Sequence, residues 1–260
     1  MFKFIYNNLE VSHKLGVASY PSDNYSRHVH YQYELIFIIK GNLDYTVDGE
    51  SHTLKEGDFV LVHPGQIHFA NINGNKTYER FVLKFEDSIL PKFLNDKLLK
   101  LGNFFNKKSQ YSIVMKDFDN YYNNFKSNEE KYALFTSNII KLCVYLSNDK
   151  NSSYVNNDSF VKEILNYIDE HIGEDITLET LSKTFMFSKS YISTVFKNNT
   201  RTTIMKYIRT KKIIYAHKLI LNGEKKSTAA TLAGFDEYST FYRSYLKLFG
   251  KKKIKTIKLD

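Results

Sequence analysis

The chain has 260 residues, too long for one small core and about right for two domains, and 42% of them are hydrophobic, enough for globular folding. Its formal charge is +9, and the single cysteine, Cys143, excludes an intrachain disulfide framework and a zinc site built on cysteines. No apolar run approaches the roughly 20 residues that span a bilayer, and the opening MFKFIYNNLE lacks the apolar stretch of a signal peptide, so the expected compartment is the cytoplasm.

Residues 1–86 read as β-structure. HVHYQYELIFIIKG (28–41) is a long strand, GNLDYTVDGE (41–50) leads into a turn, and DFVLVHPG (58–65) and TYERFVLKF (77–85) are further strands. Asp48-Gly49 suits a type I′ hairpin turn, because glycine tolerates positive φ. Short strands separated by glycine-containing turns predict a sandwich or small barrel. From about residue 87 the period becomes helical, in LPKFLNDKLLKLGNFF (90–105) and EEKYALFTSNIIKLCVYLSN (129–148). In the latter, Tyr132, Phe135, Ile139, Leu142, Cys143 and Leu146 form one stripe, which covers the domain's own sheet or serves a dimer interface. SNDKNSSYVNNDS (147–159) is polar and without period, a linker.

Beyond it everything reads helical, and two segments look like one unit written twice. ITLETLSKTFMFSKSYISTVFKNN (176–199) and STAATLAGFDEYSTFYRSYLKLFG (227–250) each give a short apolar helix, a tight turn and a second helix. The second helices align at a constant offset, Ile192 on Phe241, Val195 on Ser244, Phe196 on Tyr245 and Lys197 on Leu246. Helix, short turn, helix is the layout of helix-turn-helix DNA readers. TIMKYIRTKKIIYAHKLIL (203–221) is a long helix between the units, about 28 Å from end to end at 1.5 Å per residue, so both heads can face one side of a duplex whose turn is about 34 Å. The charge sits here too. Residues 1–157 hold 18 Lys and Arg against 17 Asp and Glu, whereas residues 180–260 hold 18 against 4. A near-neutral half joined to a basic half predicts a regulatory domain and a polyanion binder, with double-stranded promoter DNA as partner.

In the helix opened by Ser188, an N-cap type, Ile192, Val195 and Phe196 point inward. Lys189, Ser190, Ser193, Thr194 and Lys197 lie opposite, and four of them follow the i, i+3, i+4, i+7 spacing of one helix stripe. Lysine pairs phosphates, and serine and threonine bond base edges or phosphates. In the second unit Phe241, Tyr245 and Leu248 point inward and Tyr238, Ser239, Tyr242 and Arg243 outward. Arg243 is the expected specific contact, because its fork matches O6 and N7 of guanine; a phosphate clamp is the alternative.

In the first half, His28, His30, Glu34 and Gly41 form H-x-H-x3-E-x6-G, and GDFVLVHPGQIH ends in His68. Strand residues of equal parity share a face, so His28, His30 and Glu34 point one way, into a pocket. Three imidazoles and a carboxylate can hold Zn²⁺, Mn²⁺ or Fe²⁺, or hydrogen-bond an organic ligand.

At these residues the chain resembles the AraC/XylS family of bacterial transcription regulators. The match runs over residues 160–250, through a leading helix, "LSxxFxxSxSYISxxFK", "AHKLIL" and "AGFDEYSTFYRSYLK", and Gly234-Phe235 followed by Ser239 and Phe241 is its most specific part. The resemblance implies a seven-helix domain with two reading motifs, and it puts Ser190, Ser193, Thr194, Ser239, Tyr242 and Arg243 where the family contacts bases. Departures are Arg201 for a usual glycine, Lys212 for a usual arginine, Lys226 and Ala229 for apolar residues, and Lys253 for a proline. They predict a less well packed second motif with more phosphate contacts. Residues 20–85 resemble the two motifs of the cupin β-barrel, with Ser22 for the leading glycine and the closing asparagine out of step at Asn71 or Asn73. In this company a cupin-like domain implies a sensor of a small-molecule effector without metal or cofactor.

The expectation is thus a two-domain α+β chain. Residues 1–147 form a cupin-like β-barrel with following helices, for sensing and dimerisation; 148–158 a linker; 159–260 an all-α domain with two helix-turn-helix motifs. It is expected to be a cytoplasmic homodimer, to bind its effector through His28, His30, Glu34 and His68, and not to be an enzyme. The alternatives are a cupin metalloenzyme with an accessory basic tail and a purely architectural DNA binder.

Overall fold

The computed structural model describes residues 1–18, 28–71, 76–149, 160–200 and 202–249. The chain divides into two compact units, Met1–Asn156 and Asn157–Asp260. Most of the expected linker lies outside the described residues, as do Ser22, Asn73, Arg201 and Lys253.

The first unit is antiparallel β-structure backed by helices. Its strands are β1 (Phe2–Tyr6), β2 (Leu9–Ala18), β3 (Tyr33–Lys40), β4 (Leu43–Val47), β5 (Glu50–Leu54), β6 (Phe59–Val62), β7 (His68–Asn71), β8 (Lys76–Phe85) and β9 (Phe104–Phe105). One sheet has the order β1-β2-β8-β3-β6-β9 and the other β5-β4-β7. The expected barrel is corrected here: among the described residues neither sheet closes on itself, and the two are open layers packed face to face. The larger sheet presents an apolar surface on both sides, so its outer side needs a cover that barrel closure would not supply. Helices α1 (Lys92–Leu98), α2 (Ser109–Asn124) and α3 (Asn128–Ser147) follow in sequence and provide that cover.

The alternation of β3 divides the interior. Tyr33, Leu35 and Phe37 join Phe2, Phe81, Phe118 and Phe135 in the core between sheet and helices. Ile36 and Ile38 join Tyr45, Val47, Val62 and Tyr78 between the two sheets. The stripe of α3 is spent in the first of these: Phe135, Ile139, Leu142, Cys143 and Leu146 are all fully buried, so it covers its own sheet and is not available to a second copy. Ser127 caps α3, accepting from the backbone N–H of Glu129 and Glu130 at 3.1 and 3.3 Å. At its far end Asp149 is buried and accepts from Lys108 Nζ and Tyr111 Oη, tying the chain to the start of α2.

Two boundaries differ from the sequence reading. The strand expected over 28–41 begins only at Tyr33. The helix expected over 90–105 is α1 alone; the chain breaks near Gly102 and pairs Phe104 and Phe105 with the edge of β6. The Asp48-Gly49 turn is as expected, with φ of 46° and 91°.

The second unit is helical: α4 (Phe160–Glu170), α5 (Leu178–Phe185), α6 (Lys189–Thr200), α7 (Ile204–Leu221), α8 (Lys226–Leu232) and α9 (Tyr238–Phe249). These are six helices among the described residues, with α5–α6 and α8–α9 as the two repeated pairs. Thr177 and Thr180 form a capping box at the start of α5. The turn after α5 bends at Met186, whose φ is 57°, a left-handed conformation that strains any residue with a Cβ. The turn after α8 bends at Gly234, φ 69°, where a Cβ would lie 2.6 Å from Lys212 Nζ and 2.9 Å from the Gly173 carbonyl oxygen. Lys212 is buried and donates to the Gly234 carbonyl at 2.9 Å. The lysine at the usual arginine position therefore clamps the turn, and Ala229, Ala230, Ala233, Phe241 and Tyr245 are buried around it. The looser second motif expected from these departures is not what the burial gives: Ala229 is fully buried in this cluster.

These two turns predict substitutions of opposite sign. Gly234→Ala should destabilise the helical unit by about 1–3 kcal/mol through clash and backbone strain. Met186→Gly should stabilise it by roughly 1 kcal/mol, since Met186 is 91% exposed and glycine relieves the left-handed strain. Thermal unfolding of the full chain checks both, and equal shifts of the same sign would refute the reading of these turns.

Candidate functional site

Glu34 is the acid on the inward, intersheet side of β3, in line with Ile36 and Ile38. It is 4% exposed. A carboxylate there must be partnered, because burying an unpaired charge is far costlier than any single contact returns. The facing sheet supplies His68 at the start of β7, and the segment before β3 supplies His30 and His28. Glu34 Oε2 lies 2.7 Å from His30 Nε2, 3.0 Å from His68 Nε2, 4.0 Å from His28 Nε2 and 3.4 Å from Lys84 Nζ. The four residues expected at the pocket, His28, His30, Glu34 and His68, are thus brought together, their ligand atoms all within 4.8 Å of one another.

The cause of this convergence is not the strand parity that predicted it. His28 and His30 precede β3, and an isolated antiparallel bridge seats them. His28 N–H donates to the His68 carbonyl at 3.2 Å, His68 N–H to the His28 carbonyl at 3.1 Å, and Gly65 N–H to the His30 carbonyl at 2.9 Å. The ring of each inner histidine is oriented at its other nitrogen: His30 Nδ1 donates to the Gln32 carbonyl and His68 Nδ1 to the Gln66 carbonyl, both at 2.9 Å. Burial works against ionisation of Glu34, but the hydrogen bonds from His30 and His68 and the charge of Lys84 outweigh it, holding the carboxyl well below its usual range. Burial likewise pushes the His30 imidazole down, against the pull of Glu34. Lys84 was missed by the sequence reading. It is the direct cross-strand partner of Glu34, and the signal, a lysine set between the buried Leu83 and Phe85 of β8, is visible only once the register is known.

The reading helices have the expected faces. In α6, Ile192 and Phe196 are buried and Val195 half-buried; Lys189, Ser190, Thr194 and Lys197 are exposed and Ser193 is half-buried beside them. Ser188 caps the helix, its Oγ accepting from Tyr191 N–H at 3.2 Å. In α9, Phe241 and Tyr245 are buried, and Tyr238, Ser239, Tyr242 and Arg243 are exposed. Arg243 Nε reaches back to the Ser239 carbonyl at 3.4 Å, and Tyr238 stacks on Tyr242 with ring centroids 5.8 Å apart. One partner was not foreseen: Glu179 of α5 pairs with Lys189 at 2.6 Å and Lys183 at 3.5 Å. The Lys189 hydrogen bond in particular holds the Glu179 carboxyl below its usual range. Lys189 is therefore already ion-paired within its own motif. No helix among the described residues is long and apolar enough to cross a membrane.

Comparison with known proteins agrees with this division of labour. The family described as the AraC-like ligand binding domain matches residues 12–141, and a helix-turn-helix domain matches residues 181–252. The HTH-type transcriptional regulator YdiP of Escherichia coli is 24% identical over 253 residues, covering 88% of this chain and 80% of that one. The XylDLEGF operon transcriptional activator 1 of Pseudomonas putida is 22% identical over 239 residues, covering 84% and 70%. A crystal structure of a ToxT variant from Vibrio cholerae aligns over 94% of this chain and 95% of that one, at 12% identity and a TM-score of 0.42. With an AraC-like ligand-binding domain followed by a helix-turn-helix domain, this chain belongs to the AraC/XylS family of DNA-binding transcription regulators.

Proposed function

We propose that this regulator senses a small molecule at His28, His30, Glu34 and His68, and that the occupied and empty states differ in how tightly α6 and α9 engage promoter DNA. The observation that carries the sensing half is four polar side chains converging at the end of an otherwise apolar layer between two sheets. Binding pockets combine apolar walls with a few such convergent groups. The same features support a cupin-like character for the N-terminal unit, open-sheeted as it is. The chain acts as a regulator rather than as an enzyme; its relatives YdiP and the XylDLEGF activator bear the names of regulators.

On the DNA side, Ser190, Ser193, Thr194, Ser239, Tyr242 and Arg243 contact bases, and Lys189, Lys197 and Tyr238 contact the backbone at their margins. A homodimer belongs to this reading, since two copies bring four reading helices to one operator and multiply its length. The domain limits that go with it are 1–147 for sensing and dimerisation, 148–158 for the linker and 159–260 for DNA binding.

Genome-wide mapping of bound DNA, followed by footprinting on the recovered sites, tests the reading. A ligand found by that route should change the footprint; occupancy indifferent to every metabolite of the mapped genes would leave an architectural binder instead. Arg243→Ala should cost about 1–3 kcal/mol of affinity and relax preference at one base pair. An unchanged footprint and affinity would remove Arg243 from the interface. Lys197→Ala should weaken binding by a similar factor on all sequences and reduce the slope of log affinity against log salt by about 1. A loss confined to one base pair would mean that Lys197 reads sequence.

A further inference from the structure

We propose that Arg80 and Lys14 hold the carboxylate of a small organic acid on the inner face of the larger sheet, beside the histidine cluster. This rests on the reading of the first unit as the sensing domain. It names the chemical class of the effector and adds two residues to its site.

Strand alternation brings the two cations together. Tyr78, Arg80, Val82 and Lys84 share one side of β8, the side on which Tyr78 joins the core between the sheets. In the register of β2 against β8, Lys14 is the direct partner of Arg80. Like charges set opposite each other on neighbouring strands repel, so an acid is needed close by. The acids of this side are engaged elsewhere, Glu10 with Lys3 at 3.4 Å and Glu34 with His30, His68 and Lys84. Among the described residues neither Arg80 nor Lys14 has an ion-pair partner. The Lys14 ammonium is held below its usual range, by burial first and by Arg80 next; Glu10 opposes them, and Lys84 and Lys3 add to them.

The guanidinium is posed for a planar anion. Arg80 is half-buried, and its Cζ lies 4.3 Å from the centroid of the Tyr78 ring. Stacking of this kind fixes the plane of the fork and leaves its edges for hydrogen bonds. Nη1 is buried and has no hydrogen-bond partner among the described residues, a cost that the fold carries without return. A carboxylate supplies two oxygens in the plane of the fork and one negative charge between the two cations. Phosphate sites recruit backbone N–H groups as well, and those of β2 and β8 are spent in ladders, since each strand has a neighbour on both sides. The body of the acid meets an apolar floor. Ile38 is the partner of Arg80 across β3, and Ile36, Val47 and Tyr45 continue the same layer. Burial holds the Tyr45 hydroxyl well above its usual range, with Glu34 adding to the effect and Arg80 opposing it, and the Tyr45 ring lies 6.3 Å from that of His68. Tyr45 thus links the anion end of the site to the histidine end.

The test uses the full chain at fixed ionic strength, with calorimetric titration and thermal unfolding. The probes are phenylacetate and hexanoate, their uncharged counterparts phenylacetamide and hexanamide, and inorganic phosphate. At least one of the acids should bind one molecule per chain and raise the melting temperature to a plateau, with its amide and phosphate at least about tenfold weaker. Arg80→Gln should weaken the acid at least about tenfold, and Arg80→Lys, which keeps the charge and loses the fork, should bind it less tightly than the wild type. Without ligand, Arg80→Gln and Lys14→Gln should melt at or above the wild-type temperature, because the repulsion is relieved. Lys14→Gln, which should also weaken the acid, keeps the test decisive if Arg80→Gln does not fold. Binding of neither acid, equal binding of acid and amide, tighter binding of phosphate, or wild-type affinity in folded Arg80→Gln overturns the proposal. Footprinting with and without the bound acid separates the two levels. An acid that binds through Arg80 and leaves DNA occupancy unchanged upholds the anion site and removes its role in sensing. A footprint changed by an amide, in a chain that binds neither acid, does the reverse.

Discussion

A charged group inside an apolar layer dictates the local architecture of the first unit. Strand β3 is covered on both faces, by helices on one side and by the second sheet on the other, so its residues from Tyr33 to Ile38 are all buried. Apolar residues meet that demand at Leu35, Ile36, Phe37 and Ile38, and Glu34 does not. Its burial is tolerable only because His30, His68 and Lys84 arrive from three different segments. The ladder between residues 28–30 and 65–68 has to form for two of those partners to arrive. The site is therefore not grafted onto a finished fold. Its partners and the packing of the two sheets depend on each other.

The second unit is organised around a different constraint, the close approach of backbone to backbone. A Cβ on Gly173 would lie 2.9 Å from the Leu232 carbonyl, and one on Gly234 2.9 Å from the Gly173 carbonyl. The loop after α4 and the turn between α8 and α9 therefore touch main chain to main chain, with Lys212 bound between them. The first motif has no such clamp at its turn. It bends at a strained, exposed methionine held by Ser182 Oγ donating to the Phe187 carbonyl at 2.6 Å. Copies alike in pattern are thus stabilised differently: the first by caps and by the Glu179 ion pairs, the second by burial.

Much of this was legible in the sequence because periodicity reports burial directly. The stripe of α3, the inward residues of α6 and α9 and the Asp48-Gly49 turn all follow from spacing and from the φ that glycine permits. The identities of His28, His30, Glu34 and His68 were legible too, but not the reason they meet. Parity within one long strand predicts their meeting, whereas the strand starts at Tyr33 and a bridge to His68 brings them together. Pairing across a sheet leaves no local mark, and so Lys84 and the openness of the sheets stayed hidden. Lys212 read as a defect for the same reason. A buried lysine is identified by its acceptor, and the Gly234 carbonyl is 22 residues away.

Any coupling between the sensing site and DNA binding needs an element that both can bias, and the rigid candidate within the first unit is α3. Its beginning is fastened to the sheet, where Tyr6 Oη donates to Glu129 and Tyr132 Oη to Asn8, both at 2.8 Å. Its end is fastened to the start of α2 through the buried Asp149, at the edge of the linker. A ligand at Glu34 would act on β3, which pairs with β8, which pairs with β2, against which α3 packs. That continuity does not by itself amount to coupling. A ligand shifts an equilibrium only by the difference in its affinity for the two states, and about 1–3 kcal/mol is the usual range. A ligand held at the Glu34 cluster would supply such a difference to the extent that it favoured one arrangement of the segments that meet there. His28, the most exposed of its members, is bound by its backbone to His68 at the start of β7, so a ligand that drew His28 toward Glu34 would act on the second sheet as well.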